Sequence, residues 1–145
     1  MTGGNGRRNV LIVDDYEPTR LLVGRIVSQE LRARVTLAGT CEEALRLAED
    51  MVYDVILLDL LMPGIGGYEV LRKIRACGPN RRTPILVLSV MATHESMEKC
   101  RQLGATAFIA KPVDRELVTT MLRSVLAQKR LPRQDGTAAS LGDGC

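Results

Sequence analysis

No stretch of this sequence is long and apolar enough to cross a membrane, and the longest apolar runs of its first half, Val10–Val13 and Val55–Leu58, are four residues each. A bilayer needs about 20 consecutive apolar residues, so no span is expected. Arg7 and Arg8 precede the first run, which stops at Asp14, too soon for the apolar core of a secretory signal. A cytoplasmic location is the expectation. The chain also lacks any C-x-x-C pair and has a single histidine, His94, so the paired ligand spacing of a zinc site is missing. Cys41, Cys77, Cys100 and Cys145 are spread far apart and read as reduced thiols. Charge of one sign is missing as well. Lys and Arg number 20 against 17 Asp and Glu, a mixed surface that implies neither nucleic acid nor an anionic membrane as partner. No internal repeat, low-complexity tract or heptad series is present.

What is present suits one folded domain: 145 residues, 46% hydrophobic and 26% charged. Residues 1–8 are Gly-rich and polar, and 129–145 hold little that can pack, so both read as flexible tails around a domain at 9–128. Between them, short apolar runs alternate with segments of helical period. Asn9–Asp14 is apolar throughout, as a strand buried on both faces should be. Pro18 opens a helix with a stripe of Leu22, Val23, Ile26 and Val27. Arg34–Ala38 is poorer in apolar residues and reads as an edge strand. Thr40 and Glu43 form a capping box for the second helix. Asp54–Leu58 is the third strand, and a loop with Pro63, Gly64, Gly66 and Gly67 leads to a helix carrying Val70, Leu71 and Ile74. Further strands are expected at Ile85–Leu88 and Ala107–Ala110, with a helix from about Thr93 to Leu103 between them. A last helix is capped by Asp114 and faces inward through Leu117, Val118, Met121, Leu122 and Val125. The pattern predicts an α/β fold: a five-stranded parallel sheet in the order 2-1-3-4-5, doubly wound by five helices.

In such a sheet, ligands collect outside the carboxyl ends of the strands. Asp14 and Asp15 end the first strand, Asp59 the third, Ser89 the fourth, and Lys111 follows the fifth. Each residue alone has an ordinary explanation as a turn or cap residue. Together they bring three carboxylates, a hydroxyl and an ammonium to one edge. Adjacent carboxylates repel unless a cation is shared between them, and Mg²⁺ prefers oxygen ligands of this kind. Asp59 is then the candidate nucleophile, with Lys111 and Ser89 placed to stabilise charge on a transferred phosphoryl group. His94, beside Glu95 and Glu98, reads as a surface residue.

The strings VLIVDDYEPTR, YDVILLDLLMPGIGGYEVLRKIR, PILVLS and GATAFIAKPV resemble the four successive blocks of response-regulator receiver domains, in order and in spacing, from about Val10 to Leu126. The resemblance implies a flavodoxin-like switch of a two-component phosphorelay. A histidine kinase or a His-containing phosphotransfer protein would supply the phosphoryl group, and an unidentified downstream protein would read it. By the same resemblance Asp59 is the phosphoacceptor. Mg²⁺ is ligated by Asp15, Asp59 and the carbonyl of Leu61, with Asp14 acting through metal-bound water. Ser89 and Lys111 contact the phosphoryl group, Lys111–Pro112 is a cis peptide, and Ser89 and Phe108 form the switch pair. Such a domain is a phosphoacceptor that assists its own phosphorylation and dephosphorylation, not a free-standing enzyme. With little chain after the last helix, output is expected through another protein. Three departures stand out: Val90 where Ala or Gly is usual, Gly66 where Asp is usual, and apolar Leu61 and Met91 where polar residues often occur. Val90 keeps open a second reading, a pseudo-receiver that binds without being phosphorylated. An Asp-nucleophile phosphatase is weakened by the missing D-x-D motif, and an ATPase by the missing G-x-x-x-x-G-K-[ST].

Overall fold

The computed structural model describes residues 6–129; the remainder of the two expected tails lies outside the described residues. Five strands alternate with five helices: β1 (Asn9–Val13), α1 (Glu17–Leu31), β2 (Arg34–Ala38), α2 (Cys41–Asp50), β3 (Val55–Asp59), α3 (Gly66–Ala76), β4 (Ile85–Ser89), α4 (His94–Gln102), β5 (Ala107–Ala110) and α5 (Arg115–Lys129). The sheet is parallel throughout, in the order β2-β1-β3-β4-β5. This is the flavodoxin-like arrangement expected from the sequence. Among the described residues no helix is long and apolar enough to cross a membrane.

Alternation along the strands divides the interior into two layers. Val10 and Ile12 pack with Val23, Ile26 and Val27 of α1 and with Val118 and Leu122 of α5. Leu11 and Val13 face the opposite way, onto Ala44 and Ala48 of α2 and Val70, Leu71 and Ile74 of α3. β3 and β4 are buried along their whole length, while β2 is mostly half-exposed at its edge. Burying a large apolar side chain contributes roughly 1.5–3 kcal/mol, so the central strands carry most of the stability. α4 is the exception among the helices: it buries only Ser96 and Cys100.

Local chemistry fixes the helix starts. Thr40 Oγ1 accepts from the Glu43 N–H at 3.1 Å, and Glu43 Oε1 accepts from the Gly39 N–H at 3.0 Å, so the box closes one residue earlier than its usual form. Asp114 Oδ1 accepts from the Glu116 N–H at 2.9 Å, as its expected capping role requires. Asn80 joins three segments: it accepts from the Tyr53 N–H at 2.8 Å and donates to the carbonyls of Ala48 and Met51 at 2.6 and 2.8 Å.

Two expectations need correction. β3 begins at Val55, because the Asp54 carboxylate is turned to accept from the Asn9 N–H at 2.7 Å. Leu22 and Leu117 are 46% and 44% exposed and do not face inward. α1 turns Gly24 to the sheet instead, where a side chain would meet Leu37 at 3.4 Å, and this rotation carries Leu22 outward. On α5 the buried stripe runs through Val118, Leu122, Val125 and Leu126, leaving Leu117 beside it. Among the cysteines, Cys41 and Cys100 are free and buried, and burial pushes both thiols up from their ordinary pKa. Cys77 is exposed at the end of α3, and Cys145 lies outside the described residues.

Candidate functional site

The carboxyl edge of the sheet gathers the charged residues into one pocket. β1 lies beside β3, and β3 beside β4, so Asp14, Asp59 and Ser89 emerge from three neighbouring strands. Asp59 and Asp14 are buried, Ser89 is fully buried, and Asp15 is exposed at the mouth. One carboxylate oxygen from each of Asp14, Asp15 and Asp59 lies within 4.8 Å of the others. Lys111 enters from the end of β5: its Nζ is 3.0 Å from Asp14 Oδ2 and 3.5 Å from Asp59 Oδ1. The Lys111–Pro112 peptide bond is cis.

Backbone groups hold this cluster. The Tyr16 N–H donates to Asp14 Oδ1 at 2.9 Å, and the Leu61 N–H donates to Asp59 Oδ1 at 3.3 Å. The Met91 N–H donates to Ser89 Oγ at 3.0 Å, leaving the Ser89 proton available to another acceptor. Gly67 fits directly beneath the acceptor strand: a Cβ there would lie 2.6 Å from the Asp59 carbonyl oxygen and from Leu60 Cα. Gly66, where the expected pattern has Asp, adopts φ +86°, a backbone conformation that glycine enters without strain.

Burial, reinforced by the negative charge of Asp14, pushes the Asp59 carboxyl from 3.8 up to about 6, against the opposing pull of Lys111 and the Leu61 N–H. A carboxylate in this position gains from any further cation. The donor set is all oxygen and triply acidic, and the oxygen separations are close to what Mg²⁺, with ligands at about 2.0–2.1 Å, spans after small side-chain adjustments. The residues fit that ion.

Phe108 lies away from the pocket. It is half-buried in β5, paired in register with Val87, and lines a cavity of about 280 Å³ under α4 with His94, Met97 and Cys100. His94 is exposed there, as a surface residue should be. In the loops that follow β1, β3 and β4, the residues Tyr16, Leu61, Ile65, Val90 and Met91 are all exposed. Val90, the residue after Ser89, is 67% exposed. Two residues that shape the site carry little sequence signal. Gly67 is one of several loop glycines until its contact with Asp59 is seen, and Arg20, which donates to the Asp14 carbonyl at 2.8 Å, reads as an ordinary helix-surface arginine.

A buried aspartate ends the central strand beside two more carboxylates and a lysine that follows the fifth strand, and the family model for the response regulator receiver domain matches residues 10–123. The chain belongs to that family, whose members are phosphoacceptor switch domains of two-component systems. It is 35% identical over 106 residues to the sensory/regulatory protein RpfC of Xanthomonas campestris, covering 72% of this chain and 14% of that protein. It is 33% identical over 128 residues to the response regulator UvrY of Escherichia coli, covering 88% of this chain and 58% of that one. The chain thus spans about one seventh of the first relative and little more than half of the second. Among solved structures, the receiver domain of the sensor histidine kinase PA1611 of Pseudomonas aeruginosa, with a magnesium ion coordinated in its active-site cleft, superimposes with a TM-score of 0.77 at 31% identity, covering 83% of this chain and 98% of that one. The chemotaxis protein CheY4 of Vibrio cholerae gives the same TM-score and identity, covering 82% and 98%.

Proposed function

We propose that residues 9–128 act as a phosphorylation switch in which Asp59 takes a phosphoryl group from a phosphohistidine of a histidine kinase or phosphotransfer protein. The observation that carries this reading is the convergence of Asp14, Asp15 and Asp59 within 4.8 Å, with Lys111 Nζ 3.5 Å from Asp59. An Asp59 carboxylate oxygen forms a bond to phosphorus as the bond from phosphorus to one nitrogen of an imidazole protonated on its other nitrogen breaks, leaving an acyl phosphate and a neutral imidazole. Asp15, Asp59 and the Leu61 carbonyl would hold Mg²⁺, with Asp14 acting through metal-bound water. The ion supplies charge stabilisation at the phosphoryl oxygens. Lys111 neutralises a further oxygen, and the Ser89 hydroxyl donates to one. Supporting a macromolecular donor, the loops that follow the three strands ending at the site expose Tyr16, Leu61, Ile65, Val90 and Met91, apolar contact area that a small acyl phosphate would not need.

The placement of Ser89 and Phe108 supports readout by another protein. Ser89 ends β4, and Phe108 sits on the adjacent strand over the cavity beneath α4. Movement of the Ser89 side chain toward a phosphoryl group frees space into which Phe108 can turn, converting a charge event into a packing change on the α4–β5 surface. Intact-mass measurement tests the reading. Treatment with acetyl phosphate and Mg²⁺, or with a phosphorylated histidine donor, should add roughly 80 Da once, the mass of one phosphoryl group. Asp59→Asn should abolish the addition and keep the fold. Addition that persists in the Asn variant would place the acceptor elsewhere, and no addition to the natural chain would favour a pseudo-receiver.

A further inference from the structure

Arg20 is the fourth residue of α1, yet its side chain is only 17% exposed. Its guanidinium turns away from solvent, and Nη1 donates to the Asp14 carbonyl at 2.8 Å. The group rests against Gly39, where a Cβ would lie 2.9 Å from Nη1 and 3.4 Å from Cζ, so any larger residue would displace it. Gly39 is itself held, since its N–H donates to Glu43 Oε1 at 3.0 Å. Next to it, the Ala38 carbonyl accepts from the Asp14 N–H at 3.1 Å. The guanidinium therefore bolts the β1–α1 loop to the β2–α2 loop directly behind the acidic pocket.

The bolted atom matters because peptide units are planar. The Asp14 carbonyl belongs to the Asp14–Asp15 peptide. Fixing that oxygen with a charged donor fixes the plane from which the Asp15 side chain departs, and with it the split between a buried Asp14 and an exposed Asp15. We propose that Arg20, seated on Gly39, is a positioning residue that sets the two adjacent aspartates for Mg²⁺; this rests on reading the pocket as a Mg²⁺-dependent phosphoacceptor. The ordinary alternative is an ion pair with Glu17, 3.9 Å away and largely exposed, which would contribute little and leave the pocket indifferent to Arg20.

Three variants separate these roles: Arg20→Gln removes the charged fork, Arg20→Lys keeps a charge without the fork, and Gly39→Ala displaces an intact guanidinium. Each is compared with the natural chain by Mg²⁺ titration calorimetry, by thermal melting in chelator, and by hydrogen exchange of the Tyr16 amide, which reports on the Asp14 side chain without metal. Loss of a group that orients metal ligands typically costs 10–100-fold in affinity. Arg20→Gln and Gly39→Ala should weaken Mg²⁺ binding about tenfold and accelerate Tyr16 exchange, with melting in chelator nearly unchanged and the Lys variant intermediate. If the natural chain binds Mg²⁺ and all three variants bind it equally, with Tyr16 exchange unaltered, the positioning role is wrong. Failure of the natural chain to bind Mg²⁺ would instead overturn the phosphoacceptor reading. Tyr16 exchange would then decide alone whether Arg20 orders the loop.

Discussion

As the proposed nucleophile, Asp59 meets opposing demands, because a nucleophile must be ionised while burial among like charges favours its protonated form. Its folded pKa of about 6 lies above the ordinary 3.8. Proton binding is thus tighter in the folded chain, so the stability linked to this group is fully present below pH 4 and is lost as pH rises through 6. Removing the charge should relieve the penalty. In chelator at pH 7.5, Asp59→Asn is expected to raise the unfolding free energy by about 1–3 kcal/mol, with the gain vanishing near pH 4, where the protonated Asp and Asn are alike. Urea unfolding at both pH values checks the sign. Asp15 offers a contrasting case. The N-cap of α1 is Tyr16, with no side-chain capping bond, and the Tyr16 N–H is taken by Asp14. Asp15→Ala should therefore change stability by less than about 0.5 kcal/mol while strongly reducing Mg²⁺ affinity. A stability loss with unchanged Mg²⁺ binding would make Asp15 a structural residue. The acidic trio was legible in the sequence because each residue closes an apolar run. Arg20 and Gly39 were not, since their meaning lies in a contact between two loops.

Among the elements, strands were the most legible: runs such as Val10–Val13 and Ile85–Leu88 are apolar on both faces because helices cover both. Helix rotation was less so. Four apolar residues in α1 defined a stripe, and nothing in their spacing revealed that Gly24 would be turned to the sheet and Leu22 to solvent. α3 shows how an element can govern the site. Its first turn packs Gly67 against the carbonyl of Asp59, and the Gly67 N–H donates to the Leu60 carbonyl at 3.0 Å. Both partners are backbone and cannot swing aside. Gly67→Ala should destabilise the chain by about 3 kcal/mol and, by shifting Asp59, slow phosphorylation in the fraction that folds. Denaturant unfolding together with intact mass checks both effects, and a variant of natural stability would show that α3 can retreat at no cost.

For the molecule as a whole, the exposed apolar residues of the loops after β3 and β4 predict the lifetime of the signal. Hydrolysis of the acyl phosphate needs water placed in line with the bond from the Asp59 oxygen to phosphorus, and polar side chains at the mouth would help to orient it. Leu61 and Met91, two residues past Asp59 and Ser89, are exposed and their side chains offer no hydrogen-bonding group of this kind. The phosphorylated chain should decay slowly, and Leu61→Asn or Met91→Glu should speed its decay, followed in excess Mg²⁺ after removal of the donor. Faster decay of the natural chain than of both variants would mean that another group positions the water. The sheet that presents these loops also acts as a ruler. Neighbouring strands are spaced by about 4.8 Å, so residues on β1 and β4 are one interval from Asp59, and those on β5 are two, roughly 10 Å. Side-chain length in the pocket follows that distance. Short Asp14 and Ser89 serve the adjacent strands, and the long stem of Lys111 crosses over β4 to place its ammonium between Asp14 and Asp59. The pocket is therefore dimensioned by the lattice of the sheet, and moving a charge by a single strand interval would demand a side chain of a different length.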